Sequence, residues 1–233
     1  MSSRLNCVLF DLDNTLYDYD SCNQEGLESV FDNLSKVISI TQDHFHELYD
    51  SSRIEVKSHI PHQASSHSRL LYIKVLLEKI SMPIDPRLVL SLEESYWSSF
   101  LNKMDLFEGV IECFEYLHAN KIRIGLITDL NLRIQLKKLI KLDIDKYFNK
   151  IITSEEIGIE KPSEEIFNYA LNSLKTTASE TCMVGDSLDR DIKGASKLGI
   201  YTIYKNPKNK ATVEAKKTFN NFTQLISIFD EIS

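Results

Sequence analysis

Cys7-Val8-Leu9-Phe10-Asp11-Leu12-Asp13-Asn14-Thr15 is a short apolar run that ends on two carboxylates and a hydroxyl. The run reads as a buried strand, and four more of its kind follow, at 122–127, 150–152, 182–184 and 200–204. Between them the apolar residues take helical spacing: Phe107, Val110, Ile111, Phe114 and Leu117, then Leu132, Leu136, Leu139 and Ile140, then Ile166, Phe167, Ala170 and Leu174. A last helix is marked by Phe222, Leu225, Ile226 and Phe229. Alternation of short apolar strands with amphipathic helices requires a parallel sheet covered on both faces.

The stretch between the first strand and residue 105 differs. Gly26 is its single glycine, and Pro61, Pro83 and Pro86 are its prolines, so turn residues are scarce. Leu27, Val30, Phe31, Leu34, Val37 and Ile38 follow the three-and-four rhythm of one helix face. Leu70, Ile73, Leu76, Leu77 and Ile80 repeat it, and Leu88, Leu92 and Tyr96 make a shorter version. About four helices inserted after a first strand predict a doubly wound, Rossmann-like α/β core with an all-helical cap. The expected core is 1–18 with 106–233, and the expected cap is 19–105.

Composition narrows the function. A 233-residue chain that is 42% hydrophobic, with 11 Phe and 10 Tyr, fills a sizeable core and is not disordered. Net charge −7 argues against nucleic acid or an anionic membrane as the main partner. No apolar run approaches the roughly 20 residues of a membrane helix, and Asp11 comes too early for a secretory apolar region. Cys7, Cys22, Cys113 and Cys182 show no metal-ligand spacing, so a reducing cytoplasm is expected. A monomer or homodimer is the expected state.

In an open parallel sheet the ligand crevice lies outside the carboxyl ends of the strands. Past the first run stand Asp11 to Thr15; past the second, Thr128 and Asp129; past the third, a loop to Lys161-Pro162; past the fourth, Gly185-Asp186-Ser187, then Asp189 and Asp191. Two carboxylates about 5 Å apart repel by roughly 3 kcal/mol at an effective dielectric of 20. Converging Asp11, Asp13 and Asp186 would compound this, and a divalent cation removes it. Hard oxygen ligands with open positions favour Mg²⁺, which also draws a phosphate to an acidic chain.

At these residues the chain resembles the haloacid dehalogenase superfamily. The family's D-x-D-x-T stands as Asp11-Leu12-Asp13-Asn14-Thr15, its strand-ending Ser/Thr as Thr128, and its lysine before proline as Lys161-Pro162. Its G-D-S/T-x-x-x-D stands as Gly185-Asp186-Ser187 through Asp191. Each motif alone is weak; four in order at strand ends is a specific signal. The insertion resembles the helical cap of the phosphatase branch.

That resemblance implies Asp11 as nucleophile, forming an aspartyl-phosphate. It implies Asp13 as general acid and base, with its main-chain carbonyl joining Asp11 and Asp186 as Mg²⁺ ligands. Thr128 and the Asp129 N–H would hold phosphate oxygens, Lys161 would offset their charge, and Asp191 would orient Lys161 or a metal-bound water. Asp13 decides the reaction type, because the dehalogenase branch has no aspartate there. The expectation is a Mg²⁺-dependent phosphatase acting on a small phosphorylated metabolite, a sugar phosphate or nucleotide. The alternatives are a phosphomutase and a non-catalytic phosphate-binding regulator.

Outside the motifs, His59, His62, His67 and Arg69 could read a substrate, but surface or packing roles are the expectation. Tyr96 and Trp97 are expected in the cap core or at an interface. The stretch from Lys205 to Lys217 is expected to be a solvated segment leading to the last helix.

Overall fold

The computed structural model describes residues 4–206 and 214–232. The chain divides into two compact units, with the cuts between Asp18 and Tyr19 and between Met104 and Asp105.

The α/β unit begins with β1 (Cys7–Phe10). After the helical unit it continues through α5 (Val110–Ala119), β2 (Arg123–Thr128), α6 (Leu132–Lys141), β3 (Lys150–Thr153), a short α7 (Ser154–Ile157) and α8 (Glu164–Ser173). It ends with β4 (Thr181–Gly185), α9 (Lys193–Lys197), β5 (Tyr201–Lys205), β6 (Lys217–Phe219) and α10 (Phe222–Ile232). The sheet order is β3-β2-β1-β4-β5-β6. Every pairing is parallel. A six-stranded parallel sheet with β1 near its middle is the doubly wound core that the sequence predicts.

Helices cover both faces, which is why the strands can be apolar on both sides. On one face Leu9, Ile127, Ile152 and Met183 pack with Ile166, Phe167 and Ala170 of α8. Phe10 meets Phe114 of α5 edge-on, ring centres 5.3 Å apart. A β-carbon on Gly125 would stand 2.6 Å from Leu174 Cδ1 and 2.8 Å from Leu9 Cδ2, so β2 needs glycine there.

Three sequence expectations change. Of the four apolar residues expected to bury α6, Leu139 is buried but Leu132, Leu136 and Ile140 are exposed, while Ile134, Gln135 and Lys138 are buried beside Leu139. The lysine-rich stretch is not solvated throughout, because Lys205 is buried, whereas Lys217, which opens a sixth strand, keeps its side chain exposed. Residues 207–213 lie outside the described residues. Val37 is exposed, because the first helix of the insertion stops at Leu34.

The second unit holds α1 (Tyr19–Leu34), α2 (Gln42–His59), α3 (Arg69–Lys79) and α4 (Pro86–Lys103). Thr41, Ser68 and Asp85 cap the starts of α2, α3 and α4, each accepting a main-chain N–H, and Pro86 sits where a missing N–H costs nothing. Gly26 lets α1 lie close to α4; a β-carbon there would be 2.7 Å from the Tyr96 ring. Tyr96 and Trp97 are buried in this unit. Arg69 is buried too, its guanidinium 5.3–5.9 Å from the ring centres of Tyr19, Tyr72, Tyr96 and Trp97. It donates to the Tyr96 and Tyr19 hydroxyls and the His67 carbonyl. Arg69 therefore has the packing role the sequence suggested. His59 and His62 are exposed. Among the described residues no helix is long and apolar enough to cross a membrane.

Candidate active site

Because the strands run parallel, their carboxyl ends lie on one side. Phe10 is level with Leu126 on β2 and with Val184 on β4, so the residues after each emerge together. The Asp11 N–H donates to Val184 O at 2.9 Å, which continues the β1–β4 ladder one step past the strand.

Asp11 is 6% exposed. Its Oδ1 accepts from Lys161 Nζ at 2.6 Å and its Oδ2 from the Thr15 hydroxyl at 2.9 Å. Burial, with Asp191 and Asp13 nearby, pushes its carboxyl up to about 6 against the pull of Lys161. Lys161 spends all three donors, on Asp11, on Asp191 Oδ1 at 2.7 Å and on the Ile127 carbonyl at 3.1 Å. Burial disfavours its charge, but Asp11 and Asp191 outweigh that and hold the ammonium well above the usual lysine range.

Asp191 lies in the π-helical turn Leu188–Ile192. Both its oxygens are engaged, Oδ1 by Lys161 and Oδ2 by the Ser187 N–H at 3.0 Å. The carboxylate can approach because residue 185 is glycine: a β-carbon there would stand 2.3–2.6 Å from the Asp191 side chain. Asp186 follows β4 directly, and its Oδ1 accepts from the Thr15 hydroxyl at 3.5 Å. Burial first, then Asp11 and Asp191, push its carboxyl up to about 8.

Asp11, Asp186 and Asp191 each offer an oxygen within 4.8 Å of the others. Three carboxylates stand against one ammonium there, and an all-oxygen set with surplus negative charge fits a hard divalent cation.

Asp13 turns its carboxylate elsewhere. Lys138 Nζ donates to its Oδ1 at 2.7 Å and its Oδ2 at 2.9 Å, and the Tyr17 hydroxyl donates to Oδ1 at 2.6 Å. Lys138 is fully buried on the inward face of α6. One turn earlier Gln135 donates to the Thr128 hydroxyl at 2.6 Å and to the Asp129 carbonyl at 2.9 Å. The Asp129 carboxylate accepts the Lys161 main-chain N–H at 3.0 Å and faces Arg190 at 3.5 Å. Burial raises its carboxyl above the usual range. Asp189 is exposed and pairs with Lys193.

The structure thus brings Asp11, Lys161, Asp186 and Asp191 together, with Thr128 and Asp129 linked to them through Ile127 and the Lys161 main chain. Sequence reading missed Lys138, Gln135, Tyr17 and Lys205. The signal for Lys205 was available: inspecting the residue after the fifth apolar run, as after the other four, leads to it. Lys138 and Gln135 were hidden because Leu132, Leu136 and Ile140 suggested a different face.

A sequence profile described as haloacid dehalogenase-like hydrolase matches residues 8–205. The chain is 38% identical over 205 residues to a ribulose-1,5-bisphosphate 5-phosphatase of Halopiger xanaduensis, covering 88% of this chain and 86% of that one. It is 31% identical over 199 residues to a glyceraldehyde 3-phosphate phosphatase of Methanopyrus kandleri, covering 85% and 83%. The crystal structure of the HAD-hydrolase YfnB from Bacillus subtilis bound to magnesium has the same fold, with TM-score 0.76, 24% identity and coverage of 98% and 100%.

Proposed function

Since the chain belongs to the haloacid dehalogenase-like hydrolases, we propose that it hydrolyses a small phosphomonoester, with Asp11 as nucleophile and Mg²⁺ as the divalent cation. The observation that carries the reading is the buried Asp11 carboxylate at a strand end, bonded to Lys161 and within 4.8 Å of Asp186 and Asp191 oxygens.

Asp11 attacks phosphorus and becomes an aspartyl-phosphate, dividing one difficult displacement into two. Asp13 gives a proton to the leaving oxygen and later takes one from the water that hydrolyses the intermediate, exchanging its pairing with Lys138 for those partners. The Thr128 hydroxyl and the Asp129 N–H hold the transferring phosphoryl oxygens, and Lys161 offsets their charge. Asp11, Asp186 and the Asp13 carbonyl would hold Mg²⁺. Bound there, it would neutralise the carboxylates and polarise the phosphoryl group. Asp191, with both oxygens already engaged, positions Lys161.

The named activities of the relatives support a short sugar phosphate as substrate. A cytoplasmic location belongs to the same reading and is supported by four cysteines that are all free and buried. The test is phosphate release with Mg²⁺ from a panel of phosphorylated metabolites that includes ribulose 1,5-bisphosphate and glyceraldehyde 3-phosphate. Turnover that disappears in a folded Asp11→Asn variant is expected. Wild-type protein inert on the whole panel, or Asp11→Asn still turning over, overturns the reading.

A further inference from the structure

Three lysines are buried among the described residues: Lys138, Lys161 and Lys205. Lys138 is paired with Asp13, and Lys161 with Asp11 and Asp191. Lys205 has no carboxylate within 4.0 Å among the described residues, although it is 5% exposed. Its amine donates to the Asn14 carbonyl at 2.7 Å and stands 3.2 Å from the centre of the Phe107 ring. An ammonium has three donors, and a buried cation without an anion is costly.

Its place in the fold matters as much as its lack of a counter-charge. Tyr204 on β5 is level with Gly185 on β4, so Lys205, the last residue of β5, ends the strand level with Asp186, on the side where Asp11 emerges. From there it reaches back to the turn after β1 that carries Asp13, with Asn14 at φ 63°. Burial lowers the ammonium to about 8, while Asp186, Asp18 and Asp11 act from a distance to keep it charged. It is therefore still a cation at neutral pH. The phosphoryl group to be transferred already has Lys161, Thr128 and the Asp129 N–H in the proposed mechanism, so it leaves Lys205 without a task.

We propose that Lys205 is a specificity residue that receives a second anionic group, phosphate or carboxylate, carried by the leaving part of the substrate. This rests on the phosphatase reading and narrows it to phosphomonoesters that bear another negative charge. A site built around an unpaired donor discriminates strongly against substrates that leave it unpaired.

The test compares kcat/KM of the wild type, Lys205→Met and Lys205→Arg on four probes. Ribulose 1,5-bisphosphate carries a second phosphate and 3-phosphoglycerate a carboxylate, while ribulose 5-phosphate and p-nitrophenyl phosphate carry no second anion. The wild type is expected to favour one doubly anionic probe over ribulose 5-phosphate by about tenfold or more. Which of the two it favours identifies the anion. Lys205→Met should erase that preference mainly through KM, and Lys205→Arg should restore part of it. A second variant, Lys205→Gln, covers the case in which the methionine protein does not fold. A uniform loss on all four probes would make Lys205 a mere support for the Asn14 turn and overturn the proposal. So would a wild type active on the singly charged probes without preference, which leaves the phosphatase reading standing. A wild type inert on all four but active elsewhere on the metabolite panel also overturns the proposal and leaves the phosphatase reading standing, whereas one inert on the whole panel removes both.

Discussion

Lys138 Nζ holds both carboxylate oxygens of Asp13, at 2.7 and 2.9 Å, from a helix that begins 119 positions later in the chain. The ion pair sets where the Asp13 carboxylate sits, and the Tyr17 hydroxyl donates to the same Oδ1 at 2.6 Å. An acid that has to meet a leaving oxygen and then a water is useful only if its starting position is defined.

Lys138→Met removes the amine and keeps the volume. Asp13 then retains Tyr17 but is no longer held in place, so kcat should fall by about tenfold or more with KM little changed. Steady-state kinetics on any accepted phosphomonoester checks this. Unaltered kcat would mean the pair has no part in turnover.

Lys161→Met should cost both activity and stability. Removing one partner of a buried, hydrogen-bonded ion pair destabilises by about 3–5 kcal/mol, because the other charge is left uncompensated. Here two carboxylates, Asp11 and Asp191, lose the same cation. Urea unfolding, metal-free and with Mg²⁺, measures the loss, which Mg²⁺ should partly offset.

Gly185→Ala places a β-carbon where the Asp191 carboxylate now sits, 2.3–2.6 Å from its atoms. Overpacking of this kind costs about 1–3 kcal/mol. Asp191 should shift off Lys161, so activity should fall more than stability does. Comparing thermal melts with kcat/KM separates the two effects.

Metal-free protein should lose stability as pH rises. Asp186 is pushed up from 3.8 to about 8 by burial, Asp11 and Asp191, and Asp11 from 3.8 to about 6 by burial, Asp191 and Asp13 against the pull of Lys161. Between those values the folded state keeps protons that the unfolded chain has released, so the contribution of these acids declines from about pH 4 to pH 8. A divalent cation needs the ionised forms, so its binding should tighten over the same range and release protons. Melting temperatures across pH 5 to 8 with and without Mg²⁺, together with calorimetry in two buffers, test the sign. A metal-free protein that gains stability over that range would contradict it.

Local pattern was enough for the sheet and for most of the acids. Leu9 and Phe10 must be buried, and Asp11 must follow them out of the sheet, whatever else the chain does. The parallel ladder then puts Asp186, from a strand paired directly with β1, at the same end. α6 shows where pattern stops being enough. Of the expected stripe Leu132, Leu136, Leu139 and Ile140, Leu139 alone is buried, and the polar Gln135 and Lys138 face inward beside it. Hydrophobicity ranks helix faces by transfer free energy alone, and a face that supplies hydrogen bonds to Thr128 and a counter-charge to Asp13 outweighs that ranking.

From its residues alone the chain determined a parallel α/β core with a helical insertion, and an acidic, lysine-bearing set of strand ends. These follow from period and burial, which act over a few residues at a time. Tertiary structure alone decided which ammonium answers which carboxylate: Lys161 to Asp11 and Asp191, Lys138 to Asp13, and Lys205 to none among the described residues. Ion pairing depends on a few ångströms between groups that the sequence separates by 125 or 150 positions, and those distances exist only once the sheet and its helices have packed.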